Sequence, residues 1–298
     1  MPLEYKIIKP PKQLNRLPNP PKQLYVRGDA KLLNMPAVAV VGTRKISHEG
    51  RALTRQLAAD LARAGLVVVS GLAFGADAAA HEGALEAGGL SAGRQGLTVA
   101  VLASGVMEIT PREHENLGQK ILKNGGAIVG EQPPESPAAF RGSFLERNRL
   151  VAGLCLAVVV TEAPIKSGAL NTASHARQLG RPIFSVPGSP LAFNSQGTNL
   201  LIQQGAHLVT RAADILEILK FKPPAHIASR NEAGTAHSPI LNALKNGPQN
   251  IDNLASITKL AIVPLMAELT KLELDGQIKD IGNKNYVLCN DEFLISNF

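Results

Sequence analysis

The chain predicts an α/β protein: a parallel sheet with helices on both faces, followed by a small C-terminal winged-helix domain. Three observations carry this. Short apolar, β-branched runs recur from Ala37 to Val209 without polar alternation, as strands buried on both faces require. Helical stripes separate those runs, the pattern of crossover connections between parallel strands. After Lys220 the alternation stops, and three short helical stripes plus a hairpin pattern follow in about 55 residues.

Residues 1–36 are rich in Pro and Lys, with Leu14, Leu17, Leu24, Tyr25 and Val26 between them; they predict an extended arm packed on the core. Residues 37–220 form the main domain. Ala37–Val41 is the first strand. Leu53, Leu57 and Leu61 then make an i, i+4 stripe with Ser47 as its N-cap. Strand Leu66–Val69, helix Asp77–Ala87, strand Thr98–Ala103 and helix Asn116–Lys123 come next. Further strands are expected at Ala127–Val129, Ala157–Thr161, Ile183–Val186 and His207–Val209, and Gly88–Gly96 reads as a surface loop. Residues 221–238 lack periodicity and are a linker. Residues 239–298 give helices around Leu241, Leu254 and Leu269, and strands Gln277–Ile281 and Tyr286–Leu288.

With 45% hydrophobic and 18% charged residues, 298 residues make a soluble protein with a real core. No apolar run reaches the roughly 20 residues of a membrane span, and MPLEYKII is no export signal, so no membrane partner is expected. Cys155 and Cys289 lie far apart, which fits packed thiols in a reducing cytoplasm. The net charge of +7 permits a nucleic-acid partner. It is uneven: residues 239–298 carry five Lys and seven acids, hence −2, and the rest is +9.

The candidate chemistry lies where strands run into turns. Gly42-Thr43-Arg44 ends the first strand, where ligands of open parallel sheets bind. Ser70-Gly71 begins a loop with a second glycine at Gly75, suited to close approach by an anion, and Asp77 is its brace or cap. Lys166-Ser167-Gly168 opens a helix that also carries Thr172, joining a full charge to unpaired first-turn amides. Arg147-Asn148-Arg149 rides a helix. The two arginines lie some 200° apart around it, so one grips ligand and the other braces the sheet edge through a carboxylate such as Glu131 or Glu162. Their order is left open. No nucleotide-binding GxGxxG or GxxxxGK[ST] loop, no GxSxG elbow and no metal-ligand spacing is present, so neither enzyme chemistry nor a cofactor is expected.

These blocks together resemble the DNA-processing protein A family, also called Smf. The pattern is carried by Val41–Arg44, Ser70–Asp77, Ala80–Leu85, Phe144–Leu154, Glu162–Ala173, Pro187–Gly188 and Ser195–Ala206. Departures are the stretch Ala103–Pro111, Phe74, and the Gly88–Gly96 insert. The resemblance implies an extended Rossmann-like domain that binds single-stranded DNA, pairs as a homodimer and loads the RecA recombinase in natural transformation. Arg44 and Lys166, with the loop at Ser167 and Gly168, are then expected on DNA phosphates, Arg147 and Arg149 in the same pocket, and Gly42, Thr43, Ser70, Gly71, Asn148 and Thr172 around them. The alternative is a Rossmann-like nucleotide phosphoribohydrolase, whose PGGxGTxxE signature is here only Pro187-Gly188-Ser189-Pro190. With no Trp, three Tyr and eight Phe, stacking platforms are few; Phe74 and Phe140 are the candidates. The acidic tail domain suits a protein partner better than duplex DNA.

Overall fold

Valine-rich runs with no polar face can be satisfied only in the middle of a sheet, and that is where they lie. The computed structural model describes residues 5–87, 97–137, 141–222, 239–244, 247–274 and 277–288; the Gly88–Gly96 loop, Phe140, Cys289 and nearly all of the linker lie outside these. Strands β1 (Lys6–Ile8), β2 (Leu24–Gly28), β3 (Ala37–Val41), β4 (Val67–Ser70), β5 (Thr98–Leu102), β6 (Ala127–Gly130), β7 (Ala157–Val160), β8 (Ile183–Ser185) and β9 (His207–Leu208) form one sheet. Their order is β1-β2-β6-β5-β4-β3-β7-β8-β9. From β6 to β9 every pairing is parallel.

The segment before Ala37 does more than pack on the core. Its strand β2 pairs antiparallel with β6, and β1 pairs antiparallel with β2. Leu24 and Val26 are buried there, and Arg27 is buried beside them with its Nη1 donating to the Val106 carbonyl at 3.1 Å.

Strand period sorts the core into two layers. Ala37, Ala39 and Val41 face one side with α4 (Arg141–Leu154) and α5 (Gly168–Gln178), while Val38 and Val40 face the other with α1 (His48–Arg63). Each fully buried valine side chain contributes about 1.5–3 kcal/mol over leaving it in water. The second face also holds α2 (Ala76–Glu86) and, on its own cluster, α3 (Glu115–Lys123). Helices α6 (Gln196–Gln203) and α7 (Ala212–Ile218) complete this part.

The chain divides into units 1–223 and 224–298. The second has its own core of Leu241, Leu254, Leu265 and Leu269, from helices α8 (Pro239–Leu244), α9 (Ile251–Thr258) and α10 (Ile262–Leu274). Strands β10 (Gln249–Asn250), β11 (Ile278–Asp280) and β12 (Asn285–Leu288) form its small sheet in the order β10-β12-β11, the wing of a winged helix. No helix among the described residues is long and apolar enough to cross a membrane.

Candidate nucleic-acid interface

At the carboxyl ends of β3, β4 and β7 the turns part and leave a cleft of about 870 Å³. Three helices shape it. Helix α1 starts at Ser47, whose Oγ accepts from the Gly50 amide at 2.9 Å and in turn donates to Glu162. Glu162 also accepts from the Ser47 amide and from Asn194 Nδ2, each at 3.0 Å, so it fixes the loop after β7 against the start of α1. It is therefore committed to the loops and pairs with no arginine among the described residues.

Gly42, Thr43 and Arg44 form one wall. The Thr43 amide donates to the Glu162 carbonyl at 2.6 Å, and its hydroxyl accepts from the Lys45 amide at 3.2 Å. A Cβ on Gly42 would meet Ala76 Cβ at 2.7 Å and the Glu162 carbonyl at 2.8 Å, so only glycine lets the turn pass. Arg44 is exposed and lies 5.2 Å over the ring of Phe144, which lines the same cleft.

The opposite wall is the start of α5. Ser167 caps it by accepting from the Ala169 amide at 3.2 Å, with Lys166 exposed just before and Gly168 facing open space. Thr172 is buried but reaches the lining. Asn148 Nδ2 donates to the Gly168 carbonyl and to Asn171 Oδ1, each at 3.2 Å, joining α4 to the first turn of α5.

The floor holds two buried opposite charges, Arg147 and Asp77, which attract each other through space while each bonds to main-chain groups. Arg147 Nη1 donates to the Gly71 carbonyl at 2.7 Å and also to the Val101 carbonyl. Asp77 accepts from the Gly71 amide at 3.0 Å and the Ala73 amide at 3.4 Å. Burial pushes the Asp77 carboxyl up, and Arg147 and the loop amides pull it part of the way back. A Cβ at Gly71 would lie 2.4 Å from the Arg147 guanidinium, so glycine here makes room for the arginine. Asp77 is thus a loop brace, and Arg147 lines the floor while holding β4 and β5 together.

Of the expected residues, Gly42, Thr43, Arg44, Gly71, Arg147, Asn148, Lys166, Ser167, Gly168 and Thr172 all line this one cleft. Two do not. Ser70 is fully buried and its hydroxyl donates to the Val40 carbonyl at 2.7 Å, which ties β4 to β3. Arg149 points elsewhere and pairs with Glu131, so the bracing arginine at the sheet edge is Arg149. Phe74 makes an edge contact with His114 at 4.8 Å and is outside the lining. The missed aromatic is Phe144, and its signal was present: three residues before Arg147, it shares that helix face. His81, also unremarked, is fully buried; its Nδ1 meets Thr98 Oγ1 at 2.8 Å, and its Nε2 has no partner. No cluster of three metal-ligating side chains exists among the described residues.

Arg44 and Lys166 form no ion pair among the described residues, and the cleft between them is lined by amides, hydroxyls and the Phe144 ring over a floor of Arg147 and Asp77. A wound parallel sheet with such a rim is an α/β protein whose strand ends present cations and free amides, the groups that suit an anionic ligand. Family comparison narrows the class. A family model described as DNA recombination-mediator protein A matches residues 7–220, and one for the DprA winged helix domain matches residues 222–282. The chain belongs to the DNA recombination-mediator protein A family.

Relatives agree. A putative DNA processing protein DprA of Mycobacterium tuberculosis is 38% identical over 265 residues, covering 86% of this chain and 66% of the relative. Protein Smf of Escherichia coli is 40% identical over 211 residues, covering 71% of this chain and 54% of that protein, so the chain matches only part of their length. Among solved structures, DNA processing protein A of Streptococcus pneumoniae is 35% identical with a TM-score of 0.65, covering 72% of this chain and 74% of that one. The Helicobacter pylori protein is 33% identical with a TM-score of 0.65, covering 73% and 96%; its structure is described for a single-stranded DNA binding mode.

Proposed function

We propose that this chain binds the backbone of single-stranded DNA in the cleft and hands the strand to a RecA-type recombinase, acting as a homodimeric mediator rather than an enzyme. The observation that carries the reading is the convergence of Arg44, Lys166 and the Ser167 turn on one cleft whose one carboxylate, Asp77, is buried and taken by the Gly71 and Ala73 amides. Backbone phosphates are met by the cations and the α5 amides, and one base rests on Phe144. The family's description as recombination mediators and the Helicobacter pylori relative's single-stranded DNA binding mode support the substrate and the recombinase role.

Fluorescence anisotropy with single- and double-stranded oligonucleotides across a salt gradient tests it. The wild-type chain should prefer the single strand, and Arg44→Ala and Lys166→Ala should each cost about 1.5–3 kcal/mol, the worth of a hydrogen bond to a charged group. Each should also lower the salt slope by roughly 0.7. Wild-type affinity in both variants would remove the assignment. The recombinase step is checked by RecA filament growth on strands coated with single-strand-binding protein, which the chain should accelerate and the double variant should not.

A further inference from the structure

Beneath the amino ends of β3, β7 and β8, at the rim opposite the cleft, lies a second hollow of about 520 Å³. Its polar lining is Gln13, Arg16, Asn34, the Cys155 thiol and Arg181, with two guanidiniums and no carboxylate. Arg181 Nη2 donates to the Gly153 carbonyl at 2.7 Å, capping the last turn of α4, but that uses only one of its five donors. Burial holds its pKa down first, Cys155 on the same lining pushes it back up, and Arg16 lowers it again. Neither arginine has an ion-pair partner among the described residues. Two like charges held together in this way are relieved by an anion.

The surrounding segment has the same character. Residues 5–36 contain seven Lys or Arg and a single acid, Asp29, against a whole-chain charge of +7. Lys6, Lys9, Lys12, Arg16, Lys22 and Lys31 are exposed, and none is ion-paired among the described residues. This is no loose tail: β2 is a strand of the main sheet, and Leu14 and Leu17 pack on Gly153 of α4. Helix α4 therefore joins the two places. Its Phe144 and Arg147 line the cleft, and its Gly153 lies under the 3₁₀ turn Lys12–Arg16. Nine helical residues span roughly 13 Å, a gap that a few nucleotides of extended strand cover.

We propose that Lys12, Arg16 and Arg181 form a second contact for the phosphate backbone of the same single strand, holding it where it leaves the cleft. This rests on the single-stranded DNA reading above. The test uses the full chain with thymidine oligonucleotides of about 6 and about 25 nucleotides, below and beyond the reach of one site. Lys12→Glu/Arg16→Glu changes two exposed side chains, and its thermal unfolding should match wild type. Its affinity for the short strand should stay within twofold of wild type. For the long strand it should fall tenfold or more, with the salt slope reduced by about 1.4, two phosphate contacts. Unchanged long-strand binding overturns the proposal, and so does an equal loss at both lengths, which would mean a general field effect. If wild type binds neither strand, the cleft reading itself fails; if Arg44→Ala abolishes short-strand binding while the double charge reversal leaves both lengths untouched, only this second contact fails.

Discussion

At the scale of single residues, the floor of the cleft should behave as structure before it behaves as a ligand contact. Arg147 and Asp77 are both buried and each satisfies main-chain groups of the loop after β4. Their charges attract through space, so removing one strips the loop groups it bonds and leaves the other charge less compensated, which costs about 1–3 kcal/mol. Arg147→Ala should therefore lower the unfolding free energy by that amount, and Arg147→Ala/Asp77→Ala should recover part of it in a double-mutant cycle measured by urea denaturation. Additive losses would mean the two side chains do not act as a pair. His81 gives a pH signature. Burial first, with His114 and Arg147 adding, lowers its pKa from 6.5 to about 3. A histidine whose folded pKa lies below its unfolded value costs nothing above pH 6.5. It withdraws stability as pH falls from there to about 3, because only the unfolded chain takes up the proton. The full loss is roughly 5 kcal/mol at the acid limit. His81→Asn retains a donor toward Thr98 without the titration, so its stability should change less than wild type between pH 7 and pH 5. Parallel curves would contradict the assignment.

Elements show how much of this was legible in the chain and where reading stopped. Strands β3 to β8 were visible because a continuous Val and Ala run has one solution, burial on both faces of a parallel sheet. The Ser47 and Ser167 caps were visible for the same local reason, a hydroxyl just before a helical stripe. Strands β1 and β2 were not. They are short and lie between prolines, β2 contains a buried arginine, and the partner that makes β2 a strand is β6, about a hundred residues on. The site was legible as a set of turns, since strand ends in a parallel sheet gather at one rim. The split between Arg147 and Arg149 was not, because spacing gives their angular separation but not the phase of α4 against the sheet. Glu131 takes Arg149, and the loop carbonyls take Arg147.

Over the whole molecule, charge and core are partitioned in the same way. Residues up to 222 hold the sheet, the cleft and the cationic N-terminal segment; the small unit has a separate core and an apolar exposed surface at Ile262, Val263 and Met266 on α10. A surface of that kind offers no phosphate contacts. A chain ending at Lys222 should thus keep the single-strand affinity of the full chain within about threefold, and a larger loss in anisotropy would put DNA contacts in the winged helix. The central claim, that an unpaired strand lies in the cleft between Arg44 and Lys166, is tested most directly by photo-crosslinking. A halogenated-uridine single strand is irradiated on the full chain, and adducts are mapped by mass spectrometry. The account predicts adducts on the peptide that carries Phe144, lost in Arg44→Ala/Lys166→Ala. Adducts confined to residues 239–298, or unaffected by those substitutions, would contradict it.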